Sequence, residues 1–369
     1  MKFKFKPSPH VHGKQTTDNI LTDVAFVLLI VAIWGIVNQY ILFGVDKGVH
    51  AGLMLFAGVA TTIITHFVFY LIFDKFENKK FDSFLQRFTA NTRRVFSGAP
   101  IITAYILILL LPVTTPIYVV IVACIFAEVI AKLLFGGFGG NLFNPAAAGY
   151  IFVIIAFGAL IGTESRYLAE TMESAYLANA TIENWHITQE AGRAHIDNIG
   201  FLPFLLGRVP GAIGATSLIP ILLAMAFLIY RKIIDWVIPV FYIGFVFVGA
   251  LLFGLYLGVG FWYPILHLLS GTLLFTAVFM ATDPVTKPIN RQGRIIFAIF
   301  LGMLTLLFRF NANHTEEAAY AILIMNMFVP LIDRKTANIT TIQAGKKWAS
   351  IAGVFVLSLG IVLVFAIFV

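Results

Sequence analysis

Charge is scarce in this chain. Only 12% of its 369 residues are Asp, Glu, Lys or Arg, against roughly 25% in an ordinary soluble domain. Cysteine is nearly absent: the single one, Cys124, sits inside an apolar run. No disulfide can form within the chain, and no multi-cysteine metal or iron–sulfur motif exists. Cys124 reads as a small packing residue. The glycines of residues 135–150, "FGGFGGNLFNPAAAGY", are not followed by Lys-Ser/Thr, which argues against a phosphate-binding loop. His10 and His12, in "PHVH", are too few to hold a metal. The N-terminal segment is basic and polar for about 20 residues and leads directly into a full-length apolar run, so no cleavable signal peptide is expected.

What is abundant is hydrophobicity. Apolar residues make up 60% of the chain, in runs of about 20 that suit a lipid bilayer. The fold class expected is an all-α polytopic membrane protein. Spans are expected at 22–43, 50–73, 98–113, 115–134, 145–162, 212–230, 234–257, 261–281, 295–309, 317–333 and 348–369, ten to eleven in all, several of them short.

The basic residues orient these spans. With the N-terminus in the cytoplasm, 20 of the 25 lysines and arginines fall on cytoplasmic segments, leaving Lys47, Arg166, Arg193, Arg208 and Arg309 outside. That bias is the positive-inside rule, and it explains the net charge of +7 without nucleic acid. The chain then divides into a cytoplasmic tail (1–21), a five-helix half (22–162), an acidic outer loop (163–211), a second five-helix half (212–333), and a linker with an extra C-terminal helix (334–369). A five-span unit that repeats must return upside down, as in inverted-repeat transporters.

Polar residues inside such a chain are the candidate functional sites. Asn141, Asn144 and Pro145 lie in the glycine-rich break between spans four and five. One reading is a broken helix lining a ligand, ion or electron path, since irregular backbone at membrane depth must be satisfied by protein or a water-filled cavity. The other is a cytoplasmic turn with a helix cap. Asp283, in "ATDPVTKP", poses the same pair of readings in the second half. Glu128, in "VACIFAEVIAKLL", stands four residues before Lys132. A helical salt bridge is one explanation; a cation or proton relay is the other.

Several of these segments, in this order, resemble the D subunit of the Rnf ion-translocating electron-transport complex, related to the B subunit of the sodium-pumping NADH:quinone reductase. They are "SPHVH", "FGGFGGNLFNPAAAGY", "HLLSGTLLFTAVFMATDPVTKP" and "YAILIMNMFVPLIDR" (320–334). The resemblance covers residues 1–335. It implies two inverted five-helix repeats, urea-transporter-like, plus the C-terminal helix. It implies a multi-pass subunit of the bacterial or archaeal cytoplasmic membrane, passing electrons between ferredoxin-side and NAD-side partners while Na+ or H+ is moved. It also implies an FMN joined through its phosphate to a threonine by a flavin transferase, and an association with riboflavin. The partners implied are the other membrane and peripheral subunits.

Two threonines compete for that flavin. Thr181, in "YLANATIEN", has the position along the chain expected of the attachment site; Thr216, in "GAIGATS", has the local triplet. Neither carries the whole motif. The acidic residue expected six positions earlier is Ala175 or Pro210, and the Ser/Thr expected three earlier is Ala178 or Ile213. Thr181 is the first choice and Thr216 the alternative. The departures leave a second reading, a channel-like or scaffold subunit without its own covalent flavin. A stand-alone solute transporter is disfavoured by the resemblance.

Overall fold

A computed structural model describes residues 16–76, 84–97, 99–171, 205–207, 211–215, 217–256, 261–269, 271–311, 317–337 and 344–368. Among these the regular secondary structure is all helical, with one isolated antiparallel bridge, Pro112 to Ala212. The first helices are α1 (Thr17–Phe43), α2 (Val45–Phe76), α3 (Phe84–Ser97), α4 (Pro100–Leu110), α5 (Ile117–Ile125) and α6 (Pro145–Thr171). The later ones are α7 (Leu218–Tyr230), α8 (Val237–Tyr256), α9 (Trp262–Leu269), the short α10 (Leu273–Phe275), α11 (Arg291–Asn311), α12 (Glu317–Thr336) and α13 (Ala344–Phe368).

Among the described residues, six helices are long and apolar enough to cross a membrane, and a seventh crossing results if Tyr263–Leu269 and Leu273–Met280, bent by 65° at their junction, form one span. The expected spans 98–113, 145–162 and 212–230 correspond to shorter apolar helices, Pro100–Leu110, Pro145–Gly158 and Leu218–Tyr230. α4, at 11 residues, rises only about 16 Å, half of a hydrocarbon core of about 30 Å. Its end is completed by another part of the chain. Ile213 N–H donates to Leu111 O and Gly214 N–H to Leu109 O, each at 3.0 Å. The segment leading into α7 thus satisfies carbonyls that lipid could not. Trp34 and Asn38 of α1 hold the same region through Leu206 O, at 3.0 and 2.7 Å.

One helix escapes a reading based on apolar runs. α3 alternates its apolar and basic residues at helical spacing, "FLQRFTANTRRVFS", and packs beside α1 and α2. It is strongly amphipathic, the pattern of a helix that lies along a membrane interface rather than through it. Elsewhere the outward faces are apolar, with Phe56, Ile155 and Val356 exposed, as lipid contact requires.

The helix contact between α8 and α11 shows how the interior closes. Gly302 of α11 receives Phe245 of α8, and Gly249 of α8 receives Leu306 of α11: a Cβ at Gly302 would meet the Phe245 ring at 2.7 Å. Small residues let membrane helices approach closely. Tyr242 and Thr305 exchange a buried hydroxyl hydrogen bond of 2.8 Å in the same interface. We expect Gly302→Val to overpack this contact and destabilise the protein by about 1–3 kcal/mol, read as a lower midpoint of thermal unfolding in detergent. An unchanged midpoint would show that the two helices can move apart freely.

Candidate functional site

The site lies at the end of the bundle where basic side chains collect. There Arg231 pairs with Asp23 of α1 at 2.7 Å, and Arg294 of α11 pairs with Asp235 at 2.7 Å. Two irregular loops, 131–144 and 281–290, meet at this end. Each is entered through a π turn: Phe126–Ile130 ends α5, and Thr276–Met280 follows α10. The wide turns are closed by Ala131 N–H to Phe126 O at 3.3 Å and Ala281 N–H to Thr276 O at 2.8 Å. Such turns are rare and frequent at functional sites.

The first loop folds back because Gly136, Gly137 and Gly139 take φ of 104°, 84° and 95°, a region that side chains disfavour. Gly137 N–H then reaches Lys132 O at 3.1 Å. Asn144 caps α6: its Oδ1 accepts from Ala147 N–H at 3.1 Å, and Pro145 occupies the first helical position, where no N–H is needed. Asn141 donates through Nδ2 to Phe143 O at 3.0 Å, while its Oδ1 is buried with no hydrogen-bond partner. In the second loop, Asp283 accepts from Val285 N–H at 3.3 Å and from the Thr286 hydroxyl at 3.0 Å. Lys287 donates to Thr282 O at 3.1 Å. Asn144 therefore caps a helix and Asp283 closes a turn, and both also line the same cavity. The two readings of each residue are not exclusive.

Asn326, in the middle of α12, joins the loops. Its Oδ1 accepts from Asn144 N–H at 3.0 Å, and its Nδ2 donates to Thr286 O at 3.1 Å. The residue is 1% exposed. A lone asparagine in an apolar run, here "LIMNMFVP", is the kind of signal that could have singled it out along the sequence.

Between the loops is a cavity of about 340 Å³, within the size range of cofactor pockets. Leu21 and Val24 of α1, Ile102 of α4, Phe138, Val278 and Phe279 give it mainly apolar walls, and polar groups come from Thr17, Thr103, Lys132, Asn141, Asn144, Thr282 and Asp283. The structure thus brings together Asn141, Asn144 and Asp283. Glu128 lies one side chain deeper. Its carboxylate is 3.2 Å from Lys132 Nζ through each oxygen, and Oε1 is 2.5 Å from Nδ1 of His66 on α2. Lys132 also donates to the Thr103 hydroxyl at 3.0 Å. The helical salt bridge to Lys132 exists, then, but as part of a larger buried group. His66 and Thr103 are the members that sequence reasoning missed; a histidine within "TTIITHFVFY" is an intramembrane ionisable residue and so a signal in its own right.

Thr181 and Thr216, like His10 and His12, lie outside the described residues, as does most of the acidic loop 163–211; α6 extends into that loop as far as Thr171.

Comparison with known proteins completes the description of the chain. Residues 4–341 match the NQR2, RnfD, RnfE family. The chain is 31% identical over 340 residues to the D subunit of the proton-translocating ferredoxin:NAD(+) oxidoreductase complex of Clostridium ljungdahlii, covering 90% of this chain and 94% of that one. It is 30% identical over 337 residues to the Na(+)-translocating counterpart of Acetobacterium woodii, covering 89% and 92%. To the D subunit of an ion-translocating oxidoreductase complex of Stutzerimonas stutzeri it is 35% identical over 278 residues, covering 66% and 75%.

Two outcomes are expected from this geometry. Asn326→Ala strands a buried N–H and a buried carbonyl, each worth about 1–3 kcal/mol, so it should lower thermal stability well below that of Asn141→Ala; equal stabilities would refute the clasp. Lys132→Met alone leaves Glu128 buried without its ammonium, a loss of about 3–5 kcal/mol. The double variant Glu128→Gln/Lys132→Met should recover folded yield relative to Lys132→Met, as measured by size-exclusion of detergent extracts.

Proposed function

Because the chain belongs to the NQR2, RnfD, RnfE family, we propose that it is the D-type membrane subunit of an Rnf-type complex, carrying electrons between ferredoxin-side and NAD-side partners while Na+ or H+ is moved. The observation that supports an electron-carrying role is the cavity between loops 131–144 and 281–290, with apolar walls and few polar groups. The names of the relatives from Clostridium ljungdahlii and Acetobacterium woodii support the type of complex. Binding of NADH and of ferredoxin falls to other subunits. The basic end is the cytoplasmic one by the positive-inside rule, in a bacterial or archaeal cytoplasmic membrane.

The inverted five-helix arrangement belongs to the same proposal. In its support, each half carries a π turn that leads into an irregular loop and then a long helix, α6 in the first and α11 in the second.

The cavity fits a non-covalent flavin such as riboflavin. Asn141 Oδ1 is a buried acceptor without a donor, suited to a ring N–H, and the walls of Ile102, Phe138 and Phe279 suit a planar ring. Lys132, paired with Glu128, brings a polar group to the wall. A flavin, when bound, supplies one- and two-electron chemistry; the chain supplies binding, orientation and electrostatics. The covalent FMN is proposed on Thr181, with Thr216 as the alternative, attached by a flavin transferase on the outer side.

A second reading has its own observation. Ala175 and Ala178, or Pro210 and Ile213, stand where the attachment motif expects an acid and a hydroxyl. On that reading the chain is a channel-like or scaffold subunit without covalent flavin.

In-gel flavin fluorescence of the denatured chain, made alongside an active transferase, separates the two. We expect a fluorescent band whose flavin peptide contains Thr181; unmodified Thr181 and Thr216 would sink the covalent assignment. Release of a non-covalent flavin on denaturing the purified complex, reduced several-fold by Asn141→Leu, is the expected signature of the cavity site.

A further inference from the structure

We propose that His66, Glu128 and Lys132 form a single-proton binding site, not a sodium site, which loads when an electron arrives in the adjoining cavity. The proposal rests on the reading that the cavity holds an electron carrier; the proton site itself rests on geometry alone.

Glu128 is 0%, His66 1% and Lys132 2% exposed. Among the described residues, the polar groups that meet the carboxylate are nitrogens: His66 Nδ1 at 2.5 Å and Lys132 Nζ at 3.2 Å from both oxygens. Sodium in membrane proteins is held by oxygen, typically carbonyls of unwound helix. Here the position beside the carboxylate is already held by an ammonium, and its charge repels a second cation. Among the described residues no group of three or more His, Cys, Asp or Glu could hold a metal ion.

A proton needs only a lone pair, and His66 has one. When Nδ1–H donates to Glu128, Nε2 is left as a buried acceptor with no hydrogen-bond partner. With His66 neutral, Glu128 and Lys132 cancel. One added proton makes an N–H bond at His66 and leaves the group with a charge of plus one. An unpaired buried charge is costly, so the proton must be driven on by acid unless a negative charge comes close and holds it. An electron delivered to the cavity by a low-potential iron–sulfur partner is such a charge. The balance is one proton from water at the basic end, one electron from that partner, and no bond broken in the chain. Lys132 and Thr103 line the cavity, so Glu128 is one side chain from it and His66 two.

Other ionisable groups surround the site. Tyr70 of α2 lies against His66, ring centroids 5.1 Å apart, beneath Arg94 of α3. Cys124 of α5 lies within the electrostatic reach of Glu128, and Asp283 acts electrostatically on Lys132 from the opposite loop. Among the described residues none of these places a second carboxylate beside His66, and Glu128 is its counter-charge.

The test is infrared difference spectroscopy of the purified complex with isotope-labelled histidine. In acid pH steps without reductant, the difference between the parent and His66→Gln spectra should carry an imidazole protonation band, and Glu128→Gln should alter it. Reduction at constant pH should produce the same band. In the unsubstituted complex, adding sodium chloride should leave it unchanged, a readout that needs no variant to fold. Three results would overturn the proposal: a spectrum shared by the parent and His66→Gln, a band displaced by sodium, or no band on reduction in flavin-containing samples. Absence of flavin from the complex would instead defeat the electron-carrier reading and leave the pH-step result standing.

Discussion

Lipid offers no hydrogen bonds, and every break in a helix within this bundle must find its partners inside the protein. That constraint organises the molecule. α4 stops after 11 residues and its last carbonyls accept from Ile213 and Gly214 N–H. Loops 131–144 and 281–290 are irregular, and each is closed by a side chain of its own, Asn144 and Asp283. Asn326 then supplies what neither loop can, an acceptor for Asn144 N–H and a donor for Thr286 O. One amide in the middle of an apolar helix thus ties together two distant loops that both line the cavity.

The same low-dielectric surroundings govern the charges. A carboxylate, an ammonium and an imidazole share a region almost inaccessible to solvent. Removing one member leaves another uncompensated, which is why buried ion pairs are sensitive to single substitutions even when they add little net stability. Such a group is a poor stabiliser compared with apolar packing of equal volume. Its position, with Lys132 on the cavity wall and His66 in the helix behind, ties its charge state to whatever occupies the cavity.

Much of this was legible along the chain. Apolar runs marked the helical membrane class, and "FGGFGGNLFNPAAAGY" with "ATDPVTKP" marked the two loops that now frame the cavity. The short helices and the interfacial α3 were harder, because hydropathy reports composition and not where a helix ends. α3 carries too many basic residues to appear in an apolar scan. Glu128 was visible with Lys132 because four residues is one helical turn. His66 is 62 residues from Glu128, and no local pattern connects them.

By itself, then, the sequence determined the solvent this protein folds in, its helical class, and which segments must interrupt the helices, since hydrophobicity, glycine and proline act locally. Only the tertiary structure decided who satisfies those interruptions. Asn326 and Asn144 are 182 residues apart, and Ile213 likewise reaches back to Leu111 from a distant part of the chain. Pairings at that distance depend on how helices cross, and the crossing is set by close packing, such as Gly302 against Phe245, which no single segment encodes.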